Sequence, residues 1–320
     1  VNSWLKNNGN KGVDVPFTLV KWLNLIIKTL PMKSKFSSVV LGCMDWGNWR
    51  RSFSATEMAD MMHHGLSEGL TTFDHADIYG DYTVEAQFGQ AFKESQIDRS
   101  AIYIITKCGI QYPCENRPHA IKHYQYDTDY IIHSAEASIK ALNCDYLDAF
   151  LLHRPSPLMD PDAIAKAADH LQSQGKVVDF GVSNFTPSQS DLVQKRAVVG
   201  LNQIEVSLTH LDPFFNGSLD HMMTHDIRPM AWRPLGRVFK DKTEQSHRIH
   251  KVLAALCEIY DASKDQLLMA WLLKHPSRII PVIGTTNKER ITAAAGADKI
   301  HLSEIHWFEL LVASQGHKVP

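Results

Sequence analysis

The sequence has few of the features that mark disulfide-rich or metal-binding proteins. It contains only five cysteines in 320 residues, an odd number, and no two of them form a Cys-x-x-Cys pair. This scarcity disfavours a disulfide framework and a cysteine zinc site, and it predicts a reducing compartment, here the cytoplasm. The 17 histidines include no His-Glu-x-x-His pattern, so we predict no bound metal.

The sequence also lacks a strong charge of either sign and a long apolar run. Its 33 basic and 35 acidic side chains give a net charge of −2 without a basic stripe, which predicts no nucleic-acid partner. The apolar stretch Phe17–Leu30 is interrupted by Lys21 and Lys28 and covers 14 residues. A membrane-spanning helix needs roughly 20, so we predict no membrane span.

The beginning of the chain differs in composition from the rest. Residues 1–16 are polar and rich in glycine, asparagine and lysine. We interpret residues 1–31 as an extension outside the folded domain, upstream of Met32, and an amphipathic anchor over Phe17–Leu30 is the alternative. Residues 32–320 contain no linker-like or low-complexity segment, which indicates a single domain.

Eight short apolar runs alternate with helix-like segments after Met32. Nearly continuous apolarity is typical of strands that are buried on both faces of a parallel sheet. Together they predict an α/β fold, a single-domain (β/α)8 TIM barrel; an open doubly wound sheet is the alternative, which the missing Gly-x-Gly-x-x-Gly string disfavours. The predicted strands are Ser38–Gly42, Thr71–Asp74, Ile102–Lys107, Tyr146–His153, Val177–Ser183, Leu201–Val206, Ile227–Ala231 and Ile279–Ile283.

Helix start and stop signals support these boundaries. Asp160 precedes Pro161 and Thr186 precedes Pro187, which are typical N-cap and first-turn pairs, and Gly175 is placed to end the first of these helices. The spacing of Thr286 and Glu289 predicts a capping box that starts a helix after the eighth strand.

Polar residues follow the predicted strands at their C-terminal ends, where barrel enzymes assemble their sites. Asp74 ends the second strand, and Tyr79 follows it in the string Phe-Asp-x-Ala-x-x-Tyr-Gly. Lys107 ends the third strand and His153 ends the fourth. In this order, and at these strands, the sequence resembles the aldo-keto reductase family over roughly residues 35–300. The strings Gly-Val-Ser-Asn-Phe (residues 181–185) and Ile-Pro-x-x-Gly-Thr near the eighth strand strengthen the resemblance.

The resemblance implies that Asp74, Tyr79, Lys107 and His153 form the catalytic tetrad. The chemistry is consistent with it, because delivery of hydride to a carbonyl carbon leaves negative charge on oxygen and requires a proton donor. Tyrosine titrates near 10, and we expect a buried lysine to lower that pKa. Tyr79 is then the general acid, Asp74 holds the lysine charged, and His153 donates a hydrogen bond to the carbonyl oxygen.

The resemblance further implies NADP(H) as the cofactor and assigns residues at the far strands to it. Ser183, Asn184 and Gln203 would bind the carboxamide, Trp232 would stack on the nicotinamide ring, and Arg290 would bind the 2′-phosphate. Where the family usually has a lysine, this chain has Gly284, and Lys288 is a possible substitute for that lysine. Where the family has a Glu-Asn pair near the adenine, this chain has alanines at positions 293 and 294. The remaining predicted cofactor contacts are Pro234, Leu235, Gly236, Arg237, Gly284, Thr285, Thr286 and Asn287.

The sequence therefore predicts an NADPH-dependent reductase of an aldehyde or ketone. Two alternatives stay open: a cofactor-binding sensor or regulatory subunit, and a barrel aldolase or isomerase that uses Lys107 as a Schiff base. The partner is a small-molecule carbonyl compound of unknown identity, and no oligomeric state follows from the sequence. We expect the segments Gly109–Asp127 and Leu208–Gly217 to set specificity. Four aromatic residues are candidates for the pocket wall or for packing on one another: Trp46, Trp49, Tyr112 and Phe215.

Overall fold

A computed structural model describes residues 35–320 and places them in a closed barrel of eight parallel strands. Phe36–Pro320 forms one compact unit. The predicted (β/α)8 architecture is confirmed. The extension assigned to residues 1–31 lies outside the described residues and remains a prediction. No helix of the part that the structure describes is long and apolar enough to cross a membrane.

The strands of the described residues are β1 Val40–Gly42, β2 Thr72–Asp74, β3 Tyr103–Cys108, β4 Ile110–Gln111, β5 His123–Tyr124, β6 Leu147–Leu152, β7 Val177–Ser183, β8 Leu201–Glu205, β9 Arg228–Trp232 and β10 Ile280–Ile283. The barrel strands hydrogen-bond in the circular order β1-β10-β9-β8-β7-β6-β3-β2, while β4 and β5 form a separate antiparallel hairpin. This hairpin lies within the segment Gly109–Asp127, which the sequence predicts only as a loop.

Helices connect successive barrel strands and form the outer layer. Within the described part of the chain, the α-helices are α1 Ala55–Ser67, α2 Tyr79–Tyr82, α3 Val84–Ser95, α4 Thr128–Ala141, α5 Pro161–Ser173, α6 Pro187–Gln194, α7 Asp212–Phe215, α8 Ser218–Thr224, α9 Glu244–Tyr260, α10 Lys264–Leu273, α11 Lys288–Ala295 and α12 Glu304–Gln315.

The local start signals act largely as expected. The Asp160 side chain accepts the backbone N–H of Asp162, and Thr186 forms a capping box with Gln189. Gly175, just after α5, has a positive φ of 67°, the conformation that favours glycine there. The start of α11 differs from the prediction.

That start is one residue later than the sequence suggests. The predicted capping box between Thr286 and Glu289 is replaced by Asn287, whose side chain accepts the backbone N–H of Arg290. Asparagine is among the best N-cap residues, and its oxygen reaches the third N–H of the helix directly.

The barrel interior explains why the site residues point together. One core cluster includes Ile105 on β3, Leu151 on β6, Leu201 on β8 and Met230 on β9. Side chains along a strand alternate between its two faces, so the residue two positions further faces the same interior. These next positions are Lys107, His153, Gln203 and Trp232. Lys107 and Trp232 are the penultimate and last residues of β3 and β9, His153 directly follows β6, and Gln203 is the middle residue of β8. The apolar core therefore fixes the register of the polar site above it.

Candidate active site

Lys107 lies at the centre of the site. Its Nζ atom is 2.8 Å from both carboxylate oxygens of Asp74, 2.7 Å from the carbonyl oxygen of His75 and 3.2 Å from the hydroxyl of Tyr79. The lysine is fully buried and Asp74 is nearly so, with 0% and 3% of their side chains exposed. A buried ammonium with several oxygen partners is rigidly oriented and can act on the tyrosine beside it.

The lysine remains charged in this environment. Burial opposes its charge, but the Asp74 carboxylate and Tyr79 outweigh that effect and raise the pKa of Lys107 above its ordinary value. Gln203 supports the pair from β8, because its Nε2 donates to the Oδ1 atom of Asp74 over 2.8 Å. Lys107 therefore supplies fixed positive charge rather than a free amine.

Tyr79 keeps its proton. Burial raises the pKa of Tyr79 to about 12, an effect that Lys107 reduces but does not cancel. The expectation that the lysine would bring this pKa below the ordinary value is therefore wrong in its net direction, because the cost of burying a phenolate is larger. A phenol that is protonated at neutral pH and lies beside an ammonium is still suited to donate a proton, since the ammonium stabilises the phenolate as it forms.

His153 is the fourth member of the predicted tetrad and adjoins the tyrosine. Its ring centre is 6.1 Å from that of Tyr79, in an edge-to-face arrangement. Burial, followed by the charges of Lys107, Arg154 and Lys122, lowers the pKa of His153 well below its ordinary value. The imidazole is therefore neutral at neutral pH, and one ring nitrogen carries a hydrogen that it can donate.

Four predicted nicotinamide-binding residues form one hydrogen-bonded group on β7, β8 and β9. Trp232 Nε1 donates to Asn184 Oδ1 over 2.9 Å, and Asn184 Nδ2 donates to Ser183 Oγ over 2.8 Å. Ser183 Oγ donates in turn to the carbonyl oxygen of Gln203 over 2.8 Å. Asn184 has a positive φ of 62°, a strained conformation of the kind that is concentrated at functional sites.

The segment after β9 makes a close backbone turn. Gly236 has a positive φ of 56°. A Cβ atom at this position would lie 2.1 Å from Thr209 Oγ1, so the turn requires glycine. Arg237 is held here as well, because its backbone N–H donates to Thr209 Oγ1 and its guanidinium pairs with Asp241. Pro234 and Leu235 belong to the same turn.

The segment after β10 includes the remaining predicted cofactor residues, Gly284, Thr285, Thr286 and Asn287, before α11. Arg290, in the first turn, is exposed and makes no ion pair with any residue between positions 35 and 320. Lys288, considered above as a substitute for the family lysine, instead forms an ion pair with Asp60. Arg290 is therefore the available cation at this helix start.

The four candidate pocket aromatics separate into different environments. Trp49 lies edge-to-face with both Tyr79 and Tyr112, with ring centres 6.2 Å apart in each case. Of the four candidates, Trp49 and Tyr112 therefore lie next to the site. Trp46 is fully buried and packs on Phe73 and Phe88 in the layer between sheet and helices. Phe215 is 63% exposed on α7.

Two residues next to tetrad members have properties that their motif does not reveal. Arg154 lies 5.8 Å from the ring centre of Trp232 and adds positive charge to the site. His75 is fully buried, and neither ring nitrogen has a hydrogen-bond partner among the described residues. The sequence shows that His75 directly follows Asp74 within the motif, which marks it as close to the site. The burial of its ring cannot be predicted from that position.

The buried His75 predicts a loss of stability in acid. Burial, followed by the charge of Lys107, lowers the pKa of His75 to about 3 from an ordinary value of 6.5. Between these values the unfolded chain binds a proton that the folded protein does not, so stability is fully present above pH 6.5 and is lost as pH falls towards 3. We expect His75→Leu to flatten the pH dependence by roughly 1.4 kcal/mol per pH unit. Urea denaturation at about pH 7, 6 and 5 measures this, and parallel curves for the two proteins would contradict it.

Comparisons with known proteins agree with the barrel fold and assign the chain to a family. The family model described as "Aldo/keto reductase family" matches residues 38–310. The chain is 40% identical to "Oxidoreductase YdhF" of Escherichia coli over 92% of this chain and 99% of that protein. It is 41% identical to "6-dehydroglucose reductase" of Agrobacterium fabrum over 79% of this chain and 86% of that protein. The crystal structure of a Bombyx mori aldo-keto reductase in complex with NADP has the same fold, with a TM-score of 0.69 at 24% identity over 88% of this chain and 89% of that one.

The fold and the site thus define a barrel oxidoreductase. The chain belongs to the aldo/keto reductase family, and it is an enzyme.

Proposed function

We propose that the protein reduces an aldehyde or ketone to an alcohol with NADPH, and that Tyr79 is the general acid. The observation that carries this proposal is the 3.2 Å contact between the Tyr79 hydroxyl and the Lys107 ammonium, which Asp74 holds in place. When NADPH is bound, its nicotinamide supplies the hydride. The residues of this chain then have to orient the carbonyl group and move one proton.

The chain has residues that fit such a cofactor. Trp232 offers an aromatic ring beside the amide and hydroxyl groups of Asn184 and Ser183, which can exchange their mutual hydrogen bonds for those of a carboxamide. The N-terminus of α11 leaves backbone N–H groups without helical partners, and Arg290 adds a free guanidinium there, so an anionic phosphate is favoured at this end. The Bombyx mori protein of the same fold holds NADP, which supports the assignment only by analogy of fold.

Proton transfer follows from the charges around Tyr79. His153, neutral, donates a hydrogen bond to the carbonyl oxygen and orients it towards the tyrosine. Tyr79 donates its proton to that oxygen as negative charge develops, and Lys107 stabilises the phenolate that remains. Asp74 keeps the lysine charged and in place through the two 2.8 Å contacts.

For the substrate, we propose a small polyhydroxylated aldehyde. Two relatives, from Agrobacterium fabrum and Novosphingobium aromaticivorans, are named 6-dehydroglucose reductase and are 41% and 31% identical to this chain. The charges of Arg154 and Lys122 are close enough to act on His153. Such cations are good donors to the hydroxyl and carbonyl oxygens of a sugar.

The geometry disfavours the two alternatives from the sequence. A Schiff-base lysine must lose its proton, whereas the pKa of Lys107 is raised. A sensor that does not convert a substrate does not require a protonated phenol beside a buried ammonium.

The discriminating experiment incubates the protein with NADPH and a panel of carbonyl compounds that includes 6-dehydroglucose and methylglyoxal, and follows the loss of NADPH absorbance. Cofactor binding without turnover on any aldehyde or ketone would favour the sensor and overturn the proposal.

Cofactor preference depends mainly on Arg290 in this proposal. A charge-assisted hydrogen bond to phosphate contributes about 1.5–3 kcal/mol, so we expect Arg290→Ala to weaken NADPH binding by roughly 10- to 100-fold. NADH, which lacks the 2′-phosphate, should bind the variant and the wild type equally. Titration of both cofactors by quenching of tryptophan fluorescence measures this. Lys288→Ala is the matched control, because Lys288 is already paired with Asp60. Equal losses for NADPH and NADH in Arg290→Ala would contradict the assignment.

A further inference from the structure

Two helices of the outer layer bring together three side chains that the proposed reaction does not use. Asp191 lies on α6 and His221 on α8, and His225 directly follows α8 as its C-cap, with its backbone N–H donating to the carbonyl oxygen of His221. Their ligand atoms all lie within 4.8 Å of one another. Among residues 35–320 this is the one group of three such side chains. We propose that Asp191, His221 and His225 bind a divalent transition metal ion, with Zn²⁺ the best fit.

The two imidazoles converge on one carboxylate oxygen. The Nε2 atoms of His221 and His225 lie 2.7 Å and 3.6 Å from Asp191 Oδ1. A tetrahedral zinc site with bonds of about 2.0–2.1 Å places neighbouring ligand atoms roughly 3.3 Å apart. These two separations bracket this value, so an ion would require the His221–Asp191 contact to widen and the His225–Asp191 contact to shorten.

The sequence spacing supplies the rigidity that such a site needs. Side chains four residues apart lie on the same face of a helix. The rings of His221 and His225 accordingly lie side by side, with centres 4.5 Å apart. Their pattern, His-x-x-x-His, lacks the glutamate of the His-Glu-x-x-His motif, and the third ligand, Asp191, comes 30 residues before His221. This is why the expectation of no metal followed from the sequence.

The donor set indicates which metals suit the site. Two imidazoles and one carboxylate favour zinc, copper or nickel over calcium or magnesium, which prefer oxygen ligands. The His225 and Asp191 side chains are 39% and 46% exposed, so a water molecule can complete the coordination. The hydrogen bond from His221, followed by the charges of His221, His225 and Lys195, lowers the pKa of Asp191. The positive charge of Lys195 opposes a bound ion, which predicts moderate affinity.

A bound ion would cross-link α6 and α8. α6 follows β7, and α8 lies between β8 and β9, so one metal ion would join two successive units of the barrel. A ligand that binds the folded chain and not the unfolded one raises its stability. The proposal therefore predicts metal-dependent thermal stability as well as binding.

The test is calorimetric titration of the chelator-treated full chain with ZnCl₂, and with CoCl₂ for the visible absorption of tetrahedral cobalt. We expect roughly one site of moderate affinity per chain, with that affinity weakened at least tenfold in His221→Ala, His225→Ala and Asp191→Asn. His170→Ala removes an exposed histidine from the last turn of α5 and is the matched control, with unchanged affinity. The melting temperature should rise with Zn²⁺ in the wild type and in His170→Ala but not in the three ligand variants.

Two results would overturn the proposal. One is the absence of a stoichiometric site in the wild type, and the other is equal affinity in the ligand variants and the wild type. Circular dichroism of each metal-free variant establishes that it is folded. Because NADPH turnover is not part of this readout, the result is independent of the proposed reductase activity.

Discussion

Tyr79→Phe should lower carbonyl reduction by on the order of 10²-fold or more, the usual contribution of a positioned general acid. The substitution removes one hydroxyl and with it the 3.2 Å contact to Lys107. The ring and its packing against Trp49 are retained. We expect the affinity for NADPH to be unchanged and stability to fall by only about 1 kcal/mol, the net contribution of one hydrogen bond.

The control is Tyr103→Phe, which makes the same chemical change at the opposite end of the barrel. Tyr103 begins β3 and packs edge-to-face on Phe36, with ring centres 5.9 Å apart. Steady-state rates with one aldehyde substrate, together with cofactor titrations, separate an effect on proton transfer from an effect on binding. If Tyr79→Phe reduced substrates as fast as Tyr103→Phe, Tyr79 would not be the acid.

The raised pKa of Tyr79 also has a kinetic consequence. Since that pKa is about 12, the phenol stays protonated across the neutral range, and the rate of reduction should not fall near pH 10 as it would for an ordinary tyrosine. This behaviour could not be predicted from the sequence. The motif identifies the tyrosine and the lysine as neighbours, but the balance between burial and charge depends on every group packed around them.

The barrel and its site differ in how far local sequence determines them. Strand positions follow from short apolar runs, and the alternation of side chains places Lys107 above Ile105 and His153 above Leu151, so the position of the site is set by local pattern. Long-range pairs carry no such local signal. Lys288 pairs with Asp60 across more than two hundred positions, which removes it from the set of free cations at α11. The β4–β5 hairpin was also missed, because strands of two residues are too short to show alternation.

Asp74→Asn should destabilise the protein by about 3–5 kcal/mol, because it leaves the buried ammonium of Lys107 without its counter-charge. The asparagine has nearly the shape of the aspartate and can still accept the Gln203 amide, so the change isolates the charge. For a domain of this size the expected fall in melting temperature is roughly 6–15 °C. Activity should also be lost. Burial is the largest influence on the pKa of Lys107 and lowers it, so without the Asp74 carboxylate the lysine is less able to keep the charge that stabilises the phenolate of Tyr79.

The double variant Asp74→Asn/Lys107→Met separates the buried charge from other causes. Methionine occupies a similar volume without charge, so removing both partners should restore on the order of 1–4 kcal/mol relative to Asp74→Asn alone. Urea denaturation of the wild type, the two single variants and the double variant gives the coupling energy directly. Activity should remain absent in the double variant even where stability returns, because the phenolate of Tyr79 would have no cation beside it. A double variant less stable than Asp74→Asn would show that the lysine ammonium is satisfied without Asp74, through the carbonyl of His75 and the hydroxyl of Tyr79.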